Sequence, residues 1–222
     1  MKSTKKNSDY FIETDSIVKT LPDVLQKLQS FISNKRVLFI GFEGGILEAL
    51  NNNKLYYAIP SMLPVVRWPK IRPFKTVIID PNAFPFAADV FDVVIVNHYL
   101  EFFDKNIKFL HEIFRILKRD GKFIAVIFND RSLGRKKSYG KIKSVKDIII
   151  DISETPFHLS NIWGTNKKAR FLSCNFDYKQ DKYSEMLIGF FHLLSDVLII
   201  TADKTDLASE AISEFKERYE MI

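Results

Sequence analysis

Three groups of residues have types and spacing that could do chemistry. The first is the turn Gly41-Phe42-Glu43-Gly44-Gly45, which follows an apolar run, Val37 to Ile40, and precedes ILEAL. Glycines lack Cβ and let backbone approach a ligand closely, and a helix N-terminus behind such a turn favours a nucleotide-type group. Taken alone, the same pattern is also an ordinary strand-to-helix turn. The second is His98, at the end of the run FDVVIV (91–96), where an imidazole could act as a general base. The third is the stretch 131–143, RSLGRKKSYGKIK, with six Lys or Arg and no acid. Arg131, Arg135, Lys136 and Lys137 in it could hold a phosphate, an acidic headgroup or RNA, or could form a solvated loop. Stacking aromatics in an RNA-binding motif do not accompany it.

Other chemistries find no support in the pattern. The single Cys174 excludes an internal disulfide and a multi-cysteine zinc site, and no metal-ligand cluster, nucleophile elbow or phosphate-binding P-loop is present. His158, His192, Trp68 and Trp163 show no ligand spacing.

The elements that must position these groups can be read from periodicity. Residues 16–32 place Ile17, Leu21, Val24, Leu25, Leu28 and Phe31 at helical spacing. Short apolar runs at 37–40, 55–59, 76–80, 91–96 and 122–128 read as strands. The run at 91–96 is apolar on both faces after Asp92, as in a buried parallel strand. A helix over 105–118 carries Ile107, Leu110, Phe114 and Leu117 on one side, with Gly121 expected to stop it in a left-handed cap. Beyond 128, a helix is expected near 145–152, strands near 157–163 and 196–202, and helices over 183–194 and 206–220. Strands alternating with helices imply a parallel, doubly wound α/β sheet with helices on both faces.

At 222 residues and 46% hydrophobic residues, the chain suits one globular domain. Its divisions would be an N-terminal helical segment (1–33), a nucleotide-side half (34–128) and a second half (129–222). The net charge of +6 permits nucleic acid, anionic surfaces or acidic metabolites as partners and selects none of them. No signal-peptide h-region follows the charged N-terminus and no apolar run is long enough to span a bilayer, so a cytoplasmic location is expected. Oligomeric state is not legible.

The block 76–127 sharpens the reading. It contains Asp80-Pro81-Asn82-Ala83-Phe84-Pro85-Phe86, then Phe91-Asp92, His98-Tyr99-Leu100-Glu101, and His111-Glu112-Ile113-Phe114-Arg115-Ile116-Leu117-Lys118-Arg119-Asp120-Gly121. In order and spacing this resembles the type 11 group of class I S-adenosylmethionine-dependent methyltransferases. Segments 54–69, 128–140 and 196–204 look like a bacterial branch of that group. The resemblance implies a seven-stranded, mostly parallel Rossmann-like sheet and S-adenosylmethionine as cofactor. It implies that Gly41, Glu43 and Gly45 line the methionyl end, that Asp80 and the backbone from Pro81 onward meet the adenine, and that the Asn97 backbone faces the sulfonium. The bland readings are a turn acid for Asp80, a helix N-cap for Asn97, and for Glu101 a capping box over 98–103.

Three positions depart from the group. Phe39 stands where an acid is usual, Glu43 replaces the second motif glycine, and Tyr57-Ala58-Ile59-Pro60-Ser61 lacks the acid that grips the ribose. Losing that acid would cost about 1.5–3 kcal/mol, roughly tenfold to hundredfold in affinity. The sequence therefore carries three functions: a methyltransferase of unassigned acceptor, a methyltransferase fold kept as a binding or scaffold protein, and an RNA- or anionic-surface-binding protein using 131–143.

Overall fold

A computed structural model describes residues 22–41, 46–50, 52, 54–61, 75–104, 106–130, 142–165, 174–177 and 195–205. In chain order the elements are α1 (Pro22–Ile32), β1 (Val37–Gly41), α2 (Ile46–Ala49), β2 (Leu55–Pro60), β3 (Lys75–Ile79), β4 (Phe91–Asn97), a 3-10 turn (Leu100–Phe102), α3 (Ile107–Ile116), β5 (Leu117–Phe128), α4 (Val145–Ser153), β6 (His158–Thr165), β7 (Cys174–Asp177) and β8 (Val197–Asp203). The helices expected over 183–194 and 206–220 lie outside the described residues, as do residues 16–21 of the first helix.

The strands form one sheet in the order β3-β2-β1-β4-β5-β8-β6-β7. β1 to β5 are mutually parallel; β8 runs antiparallel to both β5 and β6. The seven strands expected from the sequence are present. A short eighth, β7, pairs antiparallel with the outer edge of β6 through Asn161 to Gly164.

Both faces of β1, β2, β4 and β8 are covered, which is why these strands read as apolar runs. Val37, Phe39, Tyr57, Ile59, Val93, Ile95, Ile124 and Val126 point to one side and pack with Val24, Leu28 and Ile32 of α1 and Ile46 and Leu47 of α2. Leu38, Ile40, Ala58, Val94, Val96, Phe123 and Ala125 point to the other and pack with Phe109, Leu110 and Ile113 of α3 and Ile148 and Ile152 of α4. The period-two alternation thus sorts apolar residues between two layers.

Two local expectations change. The helix α3 ends at Ile116, and the chain turns extended at Leu117. The left-handed residue is Asp120 (φ 60°), not Gly121. Gly121 is required for a different reason: a Cβ there would sit 2.7 Å from the Lys118 carbonyl oxygen. Asn97 is the last residue of β4 and not a helix cap, and the 3-10 turn that follows has no side-chain cap.

Candidate functional site

The sheet order reverses between β1 and β4, whose neighbours on the far sides are β2 and β5. In open α/β sheets the crevice at such a switch point, outside the strand C-termini, is where ligands bind. Gly41 ends β1 and Asn97 ends β4, and the two are register partners across that crevice. Gly41 has φ +105°, and a Cβ on it would collide with the Asn97 carbonyl oxygen. Only glycine meets both conditions, because the β4 backbone occupies the space a Cβ would take. Glu43, Gly44 and Gly45 lie outside the described residues.

The second strand reaches this point through a side chain that sequence reasoning passed over. The Tyr57 hydroxyl donates to the Gly41 carbonyl oxygen at 2.9 Å, in the buried interior. The one signal available was a phenol inside an apolar strand, since a buried tyrosine hydroxyl usually has a partner. At the strand's end, Pro60 is buried and the Ser61 amide donates to the Ile79 carbonyl at 2.8 Å.

Asp80 follows β3 and is exposed. Its Oδ1 accepts the Asn82 amide at 2.9 Å, and its carbonyl accepts the Ala83 amide at 3.1 Å, a tight turn that holds the carboxylate at the carboxyl edge of the sheet. Pro81 within it is buried. Burial, with the Asp80 charge adding to it, pushes the Tyr99 phenol above its ordinary value. The next segment is clamped from α3. Glu112 Oε2 accepts the Phe84 amide at 2.7 Å, while the Arg115 guanidinium donates to the carbonyls of Phe84 and Phe86 at 3.1 and 2.8 Å. The same guanidinium forks onto Glu112, and holds the Glu112 carboxyl below its usual range. The sequence block 80–121 thus behaves as one mechanical unit: the helix residues Glu112 and Arg115 fix the loop that carries Asp80.

His98 lies one residue past Asn97, with φ +47° and no exposed surface. Its Nδ1 is 2.9 Å from Glu101 Oε1, which also accepts the Phe128 amide at 3.0 Å. The imidazole stacks on the Phe128 ring at 3.9 Å. Glu101 therefore does not close a capping box. It ties the end of β4 to the end of β5, and its carbonyl accepts the Lys143 amide at 2.7 Å. Of the basic stretch, Arg131, Arg135, Lys136 and Lys137 lie outside the described residues. Its flanks are joined: the Val145 amide donates to Asp130 Oδ1 at 3.1 Å, two residues past the end of β5.

Five parallel strands, a switch point at β1/β4 and a reversed strand inserted beside β5 define the fold of class I S-adenosylmethionine-dependent methyltransferases. Residues 56–125 match the methyltransferase domain family, over the segment that carries Asp80, Asn97 and the α3 clamp. A solved S-adenosylmethionine-dependent methyltransferase from Thermotoga maritima superposes with a TM-score of 0.60 at 16% identity, covering 90% of this chain and 98% of that one. A chain from the complex between the Haloferax volcanii Trm112 methyltransferase activator and a methyltransferase gives 0.58 at 15% identity, covering 90% and 98%. An uncharacterized protein of Methanocaldococcus jannaschii is 29% identical over 144 residues, 64% of this chain and 68% of its own. No helix among the described residues is long and apolar enough to cross a membrane.

Proposed function

We propose that this chain is an S-adenosylmethionine-dependent methyltransferase. The observation that carries the reading is the Gly41–Asn97 register pair at the switch point: a glycine that tolerates no Cβ, on the strand end where a ligand approaches. Asp80, exposed at the end of β3, would accept a hydrogen bond from the adenine amino group. Gly41, Glu43 and Gly45 would hold the methionyl end, Asp80 and Pro81 the adenine, and the Asn97 backbone the sulfonium side. The cofactor, when bound, supplies an electrophilic methyl group.

The chain's own work is placement. Methyl transfer needs an acceptor atom aligned with the methyl carbon and water kept out, which can be supplied without a dedicated base. We assign His98 to the wall of the site, because it has no exposed surface and its Nδ1 is committed to Glu101. Arg131, Arg135, Lys136 and Lys137 are assigned to an anionic acceptor, supported by the hydrogen bond that joins the flanks of that stretch just past the end of β5.

Calorimetry with S-adenosylmethionine and S-adenosylhomocysteine tests the reading. Saturable binding is expected. No heat and no shift in melting temperature at millimolar ligand would leave a methyltransferase fold without its cofactor and sink the proposal.

A further inference from the structure

We infer that Tyr57 is the positioning residue of the cofactor turn, delivering from the second strand the polar contact that Phe39 cannot make from the first. The inference rests on the methyltransferase reading above.

Phe39 occupies the position where the resemblance implies an acid, and it is fully buried in the layer beneath α1 and α2. It has no hydrogen-bonding group to offer the turn two residues on. Its register partner on β2 is Tyr57. The two rings share a face of the sheet, 6.1 Å apart and tilted by 53°. The Tyr57 hydroxyl extends past Phe39 toward the strand end and donates to Gly41.

Three facts make this bond more than core packing. Tyr57 is 4% exposed, and burying a hydroxyl without a partner is costly, whereas phenylalanine would fill nearly the same volume without that cost. The acceptor belongs to a glycine at positive φ, the residue with the broadest backbone freedom and therefore the one most in need of an external restraint. Because the peptide group is planar, fixing the Gly41 carbonyl fixes the whole peptide plane from which the turn departs. Gly41 is then held on two sides, by the phenol from β2 and by the Asn97 backbone from β4.

The test compares wild type with Tyr57→Phe by calorimetry, using S-adenosylhomocysteine and adenosine as probes. Adenosine lacks the methionyl end that the Gly41 turn would hold. Tyr57→Phe is expected to weaken S-adenosylhomocysteine binding about five- to tenfold, with adenosine changed by less than about twofold. Equal S-adenosylhomocysteine affinity in the two proteins overturns the inference. A parallel loss for both probes also overturns it, because a generally loosened fold would not spare adenosine. Wild type that binds neither probe removes the methyltransferase reading itself, a failure read without the variant. Amide hydrogen exchange in the ligand-free proteins gives a second measurement: the peptide spanning 41–46 should exchange about tenfold faster in Tyr57→Phe, with β4 and β5 unchanged. Should Tyr57→Phe fail to fold, 4-fluorophenylalanine at position 57, which keeps the ring and replaces the hydroxyl donor by fluorine, carries the same comparison of probes.

Discussion

The imidazole of His98 and the carboxylate of Glu101 lie 2.9 Å apart with no exposed surface on either side chain, at the junction of β4 and β5. One carboxylate oxygen serves both the His98 ring and the Phe128 amide. Glu101→Ala removes the acceptor that the Phe128 amide uses and the partner of the buried His98 ring, and should destabilise the protein by about 2–4 kcal/mol. Glu101→Gln keeps an oxygen at that position and should cost roughly half as much. Urea denaturation of the two variants measures the difference; equal losses would show that the shared oxygen does not hold the junction.

Gly41→Ala introduces a Cβ against the Asn97 carbonyl at a φ that L residues rarely adopt. A loss of at least about 2 kcal/mol is expected, together with weakened S-adenosylhomocysteine binding. A variant that melts with wild type and binds equally well contradicts the close approach of β1 and β4.

Asp80→Asn keeps the Oδ1 acceptor that the Asn82 amide uses and removes the charge. Stability should stay within about 0.5 kcal/mol of wild type, because the turn survives. Affinity for S-adenosylhomocysteine should fall about tenfold if the carboxylate meets the adenine amino group. Unchanged affinity reduces Asp80 to a turn residue.

Glu112 predicts a pH dependence. The hydrogen bond from Arg115, joined by the Phe84 amide, holds its carboxyl below the ordinary value of 4.5, against a smaller opposing effect of burial. A carboxyl lowered in the folded state contributes stability that is fully present above its unfolded value and disappears as pH falls through the folded one. Glu112→Gln should therefore be less stable than wild type near neutrality, by about 1–2 kcal/mol. The gap should close as the pH drops below 4.5. Melting curves from neutral pH into that acid range check this, and a gap that widens on acidification would falsify it.

Much of this architecture was legible in the residues themselves. Apolar runs such as Val93 to Val96 can be satisfied only where both faces are covered, so the buried parallel strands and their flanking helices followed from composition and spacing. The order of Asp80, Phe84-Pro85-Phe86 and the α3 segment resembled one family block, and Glu112 and Arg115 join its two ends through Phe84 and Phe86. Local pattern misplaced the ends of elements. Gly121 resembles a helix cap in sequence, but Asp120 takes the left-handed conformation, because the chain leaves α3 straight into β5.

What only the tertiary structure decided is which strand ends meet. Strand order and register arise from long-range pairing, and a period-two pattern gives the faces of a strand without naming its neighbours. That pairing sets Gly41 against Asn97 and brings the Tyr57 hydroxyl from a neighbouring strand onto the Gly41 carbonyl. It also turns Glu101 from an expected capping residue into the link between β4 and β5. The sequence by itself determined the class of fold; the packing of the sheet determined that the end of β1 is held by Tyr57 from β2 and Asn97 from β4.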